Sequence, residues 1–369
     1  MFNYNSNYPV GLDISDTSLK VTQLNKIVDR IKIQALGRVN LNEGVLRQGE
    51  VINKNELLKV IKNLLENPQF GKITSNEVVA CLPENKTFIK YIDIEKGPNN
   101  LENVIEFEIE KHVPMSLNDI YYDWQLIDTS QNHYHVLIGA AAKNIVDQYA
   151  KILSEAGLSV VALEIEPVAV CRSLLSEENG KYKGPFDKNY IIIDIGAIKT
   201  SLTFYAKNAI LFTMGVPISG TEITKQISDI LKIELNQAEK AKLICGFDES
   251  KAKGVVRNIL SDVIEDLIKK INNAIEFYST HFPEHGPITE IILCGGGANI
   301  KNLGSVINVA TQIPTSVGNA ARHVINSDFK KIVNQVTKNK LKKINGDSGT
   351  TYATAIGLGL RNLFVNNDD

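Results

Sequence analysis

Along residues 10–24, apolar and polar positions alternate on both sides of the polar cluster Ser15-Asp16-Thr17-Ser18. That pattern predicts two strands joined by a tight turn, and residues 31–39 predict a third strand. Asn53 or Asn55 is placed to cap a helix that carries Leu57, Leu58, Ile61, Leu64 and Leu65 on one side. Residues 77–82 form a short apolar strand stopped by Pro83. The order β-β-β-α-β describes one α/β half-domain.

Beyond Pro83 the pattern changes. Residues 88–94 read as a strand, and 101–113 as a helix with Val104, Ile105, Ile109 and Val113, stopped by Pro114. Two further strands follow at 120–127 and 134–142, so this strand-helix-strand-strand run reads as an inserted unit. A helix at 144–156 ends at Gly157, where a residue free to adopt positive φ is expected. A strand at 160–164 and a helix over 167–175 come next, and the polar stretch 176–188 reads as a loop between two halves. The second half opens with strands at 190–194, 201–205 and 209–214. Helices are expected at 221–231, 237–244 and 251–282, then a strand at 290–294, and last a helix at 352–364 after the loop Gly346-Asp347-Ser348-Gly349.

One segment is echoed. Val10-Gly11-Leu12-Asp13-Ile14-Ser15 and Ile192-Ile193-Asp194-Ile195-Gly196 share the order apolar strand, aspartate, isoleucine, small residue, polar turn, second strand. Two α/β halves that each offer such a turn suggest a bilobed protein with its ligand between the lobes.

Composition narrows the possible partners. The chain has 369 residues, 43% of them hydrophobic, and a net charge of −2 from 40 basic and 42 acidic side chains. That size favours more than one domain, and the charge balance lacks the basic footprint of a nucleic-acid binder. No apolar run is long enough to cross a bilayer, and the polar start 1–9 does not resemble a secretory signal. The chain therefore reads as cytoplasmic. Cys81, Cys171, Cys245 and Cys294 are scattered without metal or redox spacing, which fits buried free thiols in a reducing compartment. The pairs His133/His135 and His281/His285 do not make a metal site, and Trp124 reads as core of the inserted unit.

Two facing hairpin turns can hold a polyphosphate. Backbone N–H groups of a tight turn point at phosphate oxygens, and small side chains let the backbone approach. A carboxylate at each strand end suits magnesium reached through water, so Asp13 and Asp194 are the candidate metal residues. Lys20 adds positive charge against phosphate, while Ser15, Asp16, Thr17, Ser18, Gly196 and Thr200 line the two turns. Gly295-Gly296-Gly297 follows an apolar strand and leaves bare backbone on which an adenosine could lie. Glu239 and Lys242 share one helix face, where the plain alternative is a solvated ion pair.

This ordered set resembles the actin-like ATPase superfamily, and within it the PilM family of type IV pilus assembly proteins, relatives of the division protein FtsA. The resemblance runs from Val10-Gly11-Leu12-Asp13-Ile14 and Lys20-Val21, through Glu106 to Pro114 and Asp123-Trp124-Gln125-Leu126-Ile127 in the inserted unit. It continues through Gly220-Thr221-Glu222-Ile223-Thr224, Ala238 to Lys242 and Cys294 to Ala298, and ends on Ala355 to Arg361. It implies an α/β, bilobed actin-like ATPase fold with an inserted strand-helix-strand-strand subdomain. The expected division is a first actin-like half-domain over 1–85, completed by 159–188 and the C-terminal helix 350–369. The inserted subdomain takes 86–158. The second half-domain takes 189–349, with a helical subdomain at about 231–287.

The same resemblance implies ATP and Mg2+ as cofactors and adds Gly220, Glu239 and Lys242 to the nucleotide contacts. Related proteins orient the attacking water with the glutamate of a Glu-Pro-x-Ala segment, here Glu166-Pro167-Val168-Ala169, so Glu166 is the candidate catalytic residue. The alternative is a structural acid favoured at a helix start. Ser15 and Asp16 stand where the family usually has glycine and then serine or threonine, which argues for nucleotide binding with slow or absent hydrolysis. The implied partner is a PilN-like bitopic membrane protein. Its short cytosolic segment would sit in a groove between the inserted subdomain and the first half-domain, near Val104, Ile105 and Ile109 and the acids Glu102, Glu106, Glu108 and Glu110. Other pilus inner-membrane components, self-association and a place on the inner face of the membrane follow from the same resemblance. An FtsA-like division protein and a small-molecule kinase are the other readings of such a fold.

Overall fold

The computed structural model describes residues 8–27, 30–97, 100–175, 177–178, 181–182, 188–324, 332 and 349–364. The first sheet has six strands in the order Ser159–Ile165, Glu77–Leu82, Val10–Ser15, Ser18–Ile27, Arg30–Asn40, Phe70–Gly71. The second has five, in the order Ala209–Val216, Thr200–Ala206, Tyr190–Ile195, Glu290–Cys294, Thr315–Val317. In both sheets an aspartate-bearing central strand runs antiparallel to the strand after its turn and parallel to a strand from later in the chain. The sequence echo is thus an echo of topology.

Both central strands are covered on two faces, so their residues are apolar in continuous runs rather than in alternation. Ile191, Ile192 and Ile193 are each no more than 1% exposed. One face of the second sheet packs on the helix Val255–His281, whose Val256, Ile259, Leu260, Ile264, Leu267, Ile271, Ala274 and Tyr278 recur at helical spacing and are buried. The other face shares a core with the helices Glu166–Leu174 and Ala353–Phe364 and with Leu24, Ile33 and Leu36 of the first sheet. Asn53 caps the helix Lys54–Glu66 by accepting from the Glu56 backbone N–H at 3.1 Å, and Leu57, Ile61 and Leu64 face the first sheet's own core.

The helix Ala353–Phe364 lies against the first strand and against the helix Glu166–Leu174 closely enough that only glycine fits at Gly11 and Gly357. A Cβ on Gly11 would meet the Ala355 carbonyl oxygen at 2.3 Å, and one on Gly357 would meet the Ala169 carbonyl oxygen at 1.8 Å. Ala355 and Gly359 face Gly11, and Gly357 faces Ala169, so small residues stand where the backbones approach. The inserted unit is the three-stranded sheet Thr87–Glu95, His133–Ala142, Ile120–Thr129 backed by the helix Leu101–His112.

Some expectations need adjustment. The hairpin Leu46–Arg47/Glu50–Val51, the edge strand Phe70–Gly71, the helix Leu303–Thr311 and the strand Thr315–Val317 were not foreseen. Residues 251–254 form a separate turn before the long helix, because Lys253 and Gly254 take positive φ. Of the stretch 176–188, the described part holds the small pair Glu177–Glu178 and Lys181–Tyr182. Gly180, Gly184, Pro185 and the loop 346–348 lie outside the described residues. Ile105 and Ile109 are fully buried in the core of the inserted unit, so neither is available to line a groove. Phe107, 57% exposed, is the apolar side chain that helix leaves at the surface.

Candidate functional site

The two turns are built alike and differ in length. Ser15 pairs with Ser18, so Asp16 and Thr17 alone make the first turn, while residues 196–199 make the second, closed by the Gly196 N–H donating to the Lys199 carbonyl at 2.9 Å. The Ser15 hydroxyl donates across its turn to the Ser18 carbonyl at 2.9 Å. Each aspartate sits near the end of its central strand. Asp13 lies opposite Lys20 and Asp194 opposite Ser201, so Lys20 and Ser201 hold equivalent places in the two halves.

Asp13 is 2% exposed and accepts from the Lys20 ammonium at 2.6 Å. Lys20 also acts on Asp194, where its charge favours ionisation against burial, Glu84 and Asp13, which together push that carboxyl up. Glu166 opens the helix Glu166–Leu174 and accepts from the Thr354 hydroxyl at 3.3 Å. Burial, followed by the negative charges of Asp13, Asp194 and Glu84, pushes the Glu166 carboxyl up. Sequence reasoning missed Glu84. It follows the strand Glu77–Leu82 and reaches into the second lobe, where it pairs with Lys199 and accepts from the Ser201 hydroxyl. A clue was present in the sequence: Glu84 comes directly after the strand-ending Pro83, at the same sheet end as Asp13.

Several expected contacts have side chains already committed. Asp16 turns its carboxylate away from the turn and accepts from the backbone N–H groups of Gln48 at 2.7 Å and Gly49 at 2.9 Å. Thr200 is fully buried and donates to the Ile218 carbonyl at 2.7 Å. Lys242 is 3% exposed, and its ammonium meets the Gly220 carbonyl and the Thr224 hydroxyl at 2.8 Å and Glu239 at 2.7 Å. This network braces the helix Gly220–Leu231, whose first N–H groups, from Gly220 and Thr221, donate to the carbonyls of Gly196 and Ala197 at 3.0 Å. Ser18 is buried, and Thr17 keeps a partly open side chain at the first turn.

Gly295 takes φ +74, and a Cβ there would fall 2.2 Å from the Asp194 Oδ1 atom. A Cβ on Gly297 would fall 2.2 Å from the Ile195 side chain, whereas the space beside Gly296 is open. The cleft therefore presents bare backbone next to a carboxylate. Among the described residues no three histidine, cysteine or carboxylate side chains converge to cage a bare ion. Two aspartates on facing strand ends suit instead a magnesium that keeps its waters and is bound mainly by phosphate. The residues present fit a magnesium nucleotide: Asp13 and Asp194 would face the ion through water, Lys20 the phosphates, and Gly295 to Gly297 the nucleoside.

Two facing sheets of the same topology, each presenting an aspartate and a turn to one cleft, define an actin-like ATPase fold. A family model described as type IV pilus assembly protein PilM matches residues 11–363, and the chain belongs to that family. Among solved structures it is similar to a PilM–PilN type IV pilus biogenesis complex at 23% identity, with 96% of this chain and 98% of that one covered and a TM-score of 0.76. MreB5 of Spiroplasma citri bound to AMPPNP is similar at 14% identity, covering 91% of this chain and 100% of that one, with a TM-score of 0.51. Among curated relatives, the cell division protein FtsA of Neisseria meningitidis serogroup B is 22% identical over 351 residues, 83% of this chain and 82% of that protein.

Proposed function

We propose that this PilM-family protein is an ATP-binding scaffold of the type IV pilus machinery, one that turns nucleotide over slowly or not at all. The reading rests on a single observation: Asp13 with Lys20 faces Asp194 with Gly295 across one cleft. When bound, magnesium would neutralise phosphate charge there. Glu166 would orient the attacking water, but a carboxyl held largely protonated is a poor base near neutral pH. Asp16, with its carboxylate tied to the Gln48–Gly49 backbone, offers the terminal phosphate only its backbone.

The proposed partner is the cytosolic N-terminal segment of a PilN-like membrane protein, which would hold the scaffold at the inner face of the cytoplasmic membrane. Its PilM-family membership and the likeness to a PilM–PilN complex support this. Among the described residues no helix is long and apolar enough to cross a membrane, which is compatible with attachment through a partner. The receiving surface is the junction of the inserted unit with the first lobe. There Tyr121 on the edge strand Ile120–Thr129 donates to Asp147 at 3.2 Å and, with Tyr122 and Leu126, remains exposed. An edge strand with exposed apolar side chains can receive an extended peptide through its backbone.

Cell fractionation tests the reading. The protein should pellet with membranes when its PilN-like partner is whole and become soluble when that partner's cytosolic tail is deleted. Membrane attachment that survives the deletion would overturn the peptide tether.

A further inference from the structure

The topological echo extends to two side chains that the cleft described above leaves unexplained. Cys294 ends the strand Glu290–Cys294 and is the direct register partner of Asp194 on the parallel strand beside it. The two side chains are neighbours at the paired strand ends, where the Asp194 carboxylate acts on the thiol. In the other half, Cys81 lies on the strand Glu77–Leu82, one residue beyond Ala80, which pairs with Leu12. Cys81 therefore stands beside Asp13 as Cys294 stands beside Asp194. The Cys81 thiol donates to the Asp13 Oδ1 atom at 3.8 Å, while the Oδ2 atom accepts from Lys20. Both cysteines are buried, at 2% and 0% exposure. The other two cysteines have no such neighbour: Cys171 packs in the core between the lobes, and Cys245 lies at the end of a helix of the second lobe.

We propose that Cys81 and Cys294 are a matched pair of positioning residues, each donating its S–H to the aspartate on the neighbouring strand and thereby fixing the direction in which that carboxylate faces the cleft. The proposal rests on the magnesium-nucleotide reading for its purpose, though not for its geometry. A thiol suits the task. It is small enough for a close-packed strand end, and it gives the carboxylate one weak donor without adding a charge. An ordinary thiol is protonated at neutral pH, so each can act as a donor. An alanine in either place would remove that donor, leaving Asp13 held through its other oxygen by Lys20 and Asp194 less constrained. The occurrence of the same pair in both halves separates this arrangement from ordinary filling of the core by small apolar residues.

Two measurements on the full chain test it. The first is the infrared S–H stretching band of nucleotide-free protein, assigned by subtracting spectra of Cys81→Ala and Cys294→Ala. Each band should lie at a lower frequency than that of an unbonded thiol. Asp194→Asn, a weaker acceptor, should shift the Cys294 band upward and leave the Cys81 band in place. The second is the magnesium concentration at half-saturation of ATP binding, measured by calorimetry. Cys294→Ala and Cys81→Ala should raise it several-fold, and Cys294→Ser and Cys81→Ser, which keep a donor, should restore it. If an alanine variant fails to fold, the serine variant and the Asp194→Asn band shift still decide. Bands at the unbonded frequency, or alanine variants with the wild-type magnesium midpoint, overturn the proposal while leaving the nucleotide reading intact. Absence of any ATP binding by wild-type protein instead overturns that reading, and the infrared bands then decide whether the thiols hold the aspartates.

Discussion

Glu84 of the first lobe and Lys199 of the second, 115 residues apart in the chain, form an ion pair across the cleft, and Glu84 also accepts from Ser201. A phosphate entering the second turn would compete with Glu84 for the same two donors. Glu84→Gln removes a negative charge from the cleft and loosens its hold on Lys199. ATP should therefore bind about three- to tenfold more tightly, which equals roughly 0.6–1.4 kcal/mol. Weaker binding by the variant in calorimetry would show that the pair pre-forms the site instead of competing for it.

On the proposed reading, magnesium dependence would rest on Asp194. Asp194→Ala should weaken magnesium-ATP binding tenfold or more, about 1.4 kcal/mol, with less effect on nucleotide in the presence of chelator. Gly295→Ala should act on the same group by another route, since its Cβ would collide with the Asp194 Oδ1 atom and its φ of +74 strains any side chain. A stability loss of about 1–3 kcal/mol is expected by chemical denaturation. Calorimetry on protein stripped of co-purified nucleotide that shows no heat with magnesium and ATP would falsify the cofactor assignment.

Glu166 gives a pH test with a definite sign. Its folded-state carboxyl is raised from 4.5 to about 8, so the folded protein keeps a proton that the unfolded chain releases. The stability this contributes is complete below about pH 4.5 and is lost as pH climbs through about 8. Asp194, raised from 3.8 to about 6, drifts the same way over a lower window. Glu166→Gln keeps the neutral form at every pH. The variant should melt a few degrees above wild type in alkaline buffer, with the gap closing toward acid pH. In the same variant any slow hydrolysis should fall while ATP affinity holds, because positioning a water acts in the transition state. Unchanged turnover would remove Glu166 from the chemistry.

A buried charge cluster supplies the opposite pH slope. Arg172 donates to both oxygens of Glu164 at 2.7 Å and to the Gly357 carbonyl at 2.8 Å, and Arg361 pairs with the same carboxylate. Burial works against the Glu164 charge, but the two guanidinium groups outweigh it and hold the carboxyl low. That stability is present above the ordinary glutamate value and is lost as pH falls through the depressed one. Arg172→Met strands the carboxylate and should cost about 3–5 kcal/mol in denaturant melts at neutral pH. A much smaller loss would mean that Arg361 alone satisfies Glu164.

The regular elements were legible because each carries its own periodicity. The strands at 77–82 and 290–294 and the helix after Asn53 fall where apolar spacing, a cap or a proline puts them. Leu303–Thr311 was not legible, because Gly304, Ser305 and Asn308 interrupt a short helix fixed by the strand it packs beside. Within the cleft, the aspartates and glycines could be read from a repeated local pattern. Lys199, Cys81 and Cys294 could not, and Glu84 only from its place after Pro83, since their contacts are made by strand register and across the cleft. Thr200 and Asp16 carry suitable chemistry, but the fold commits their side chains to backbone groups at Ile218 and at Gln48–Gly49.

The helix Ala353–Phe364 bears on how the molecule comes into being. Its backbone fills the hollow left by Gly11 in the first strand, yet more than three hundred residues separate the two in the chain. A ribosome completes the whole second sheet before this cover exists. During synthesis the first lobe therefore carries an open apolar flank, and its final packing waits on residues 353–364. Contacts so distant in sequence are slow to form and leave strand surfaces exposed in the meantime. The two lobes, although each has its own sheet, should reach the native state together rather than one after the other.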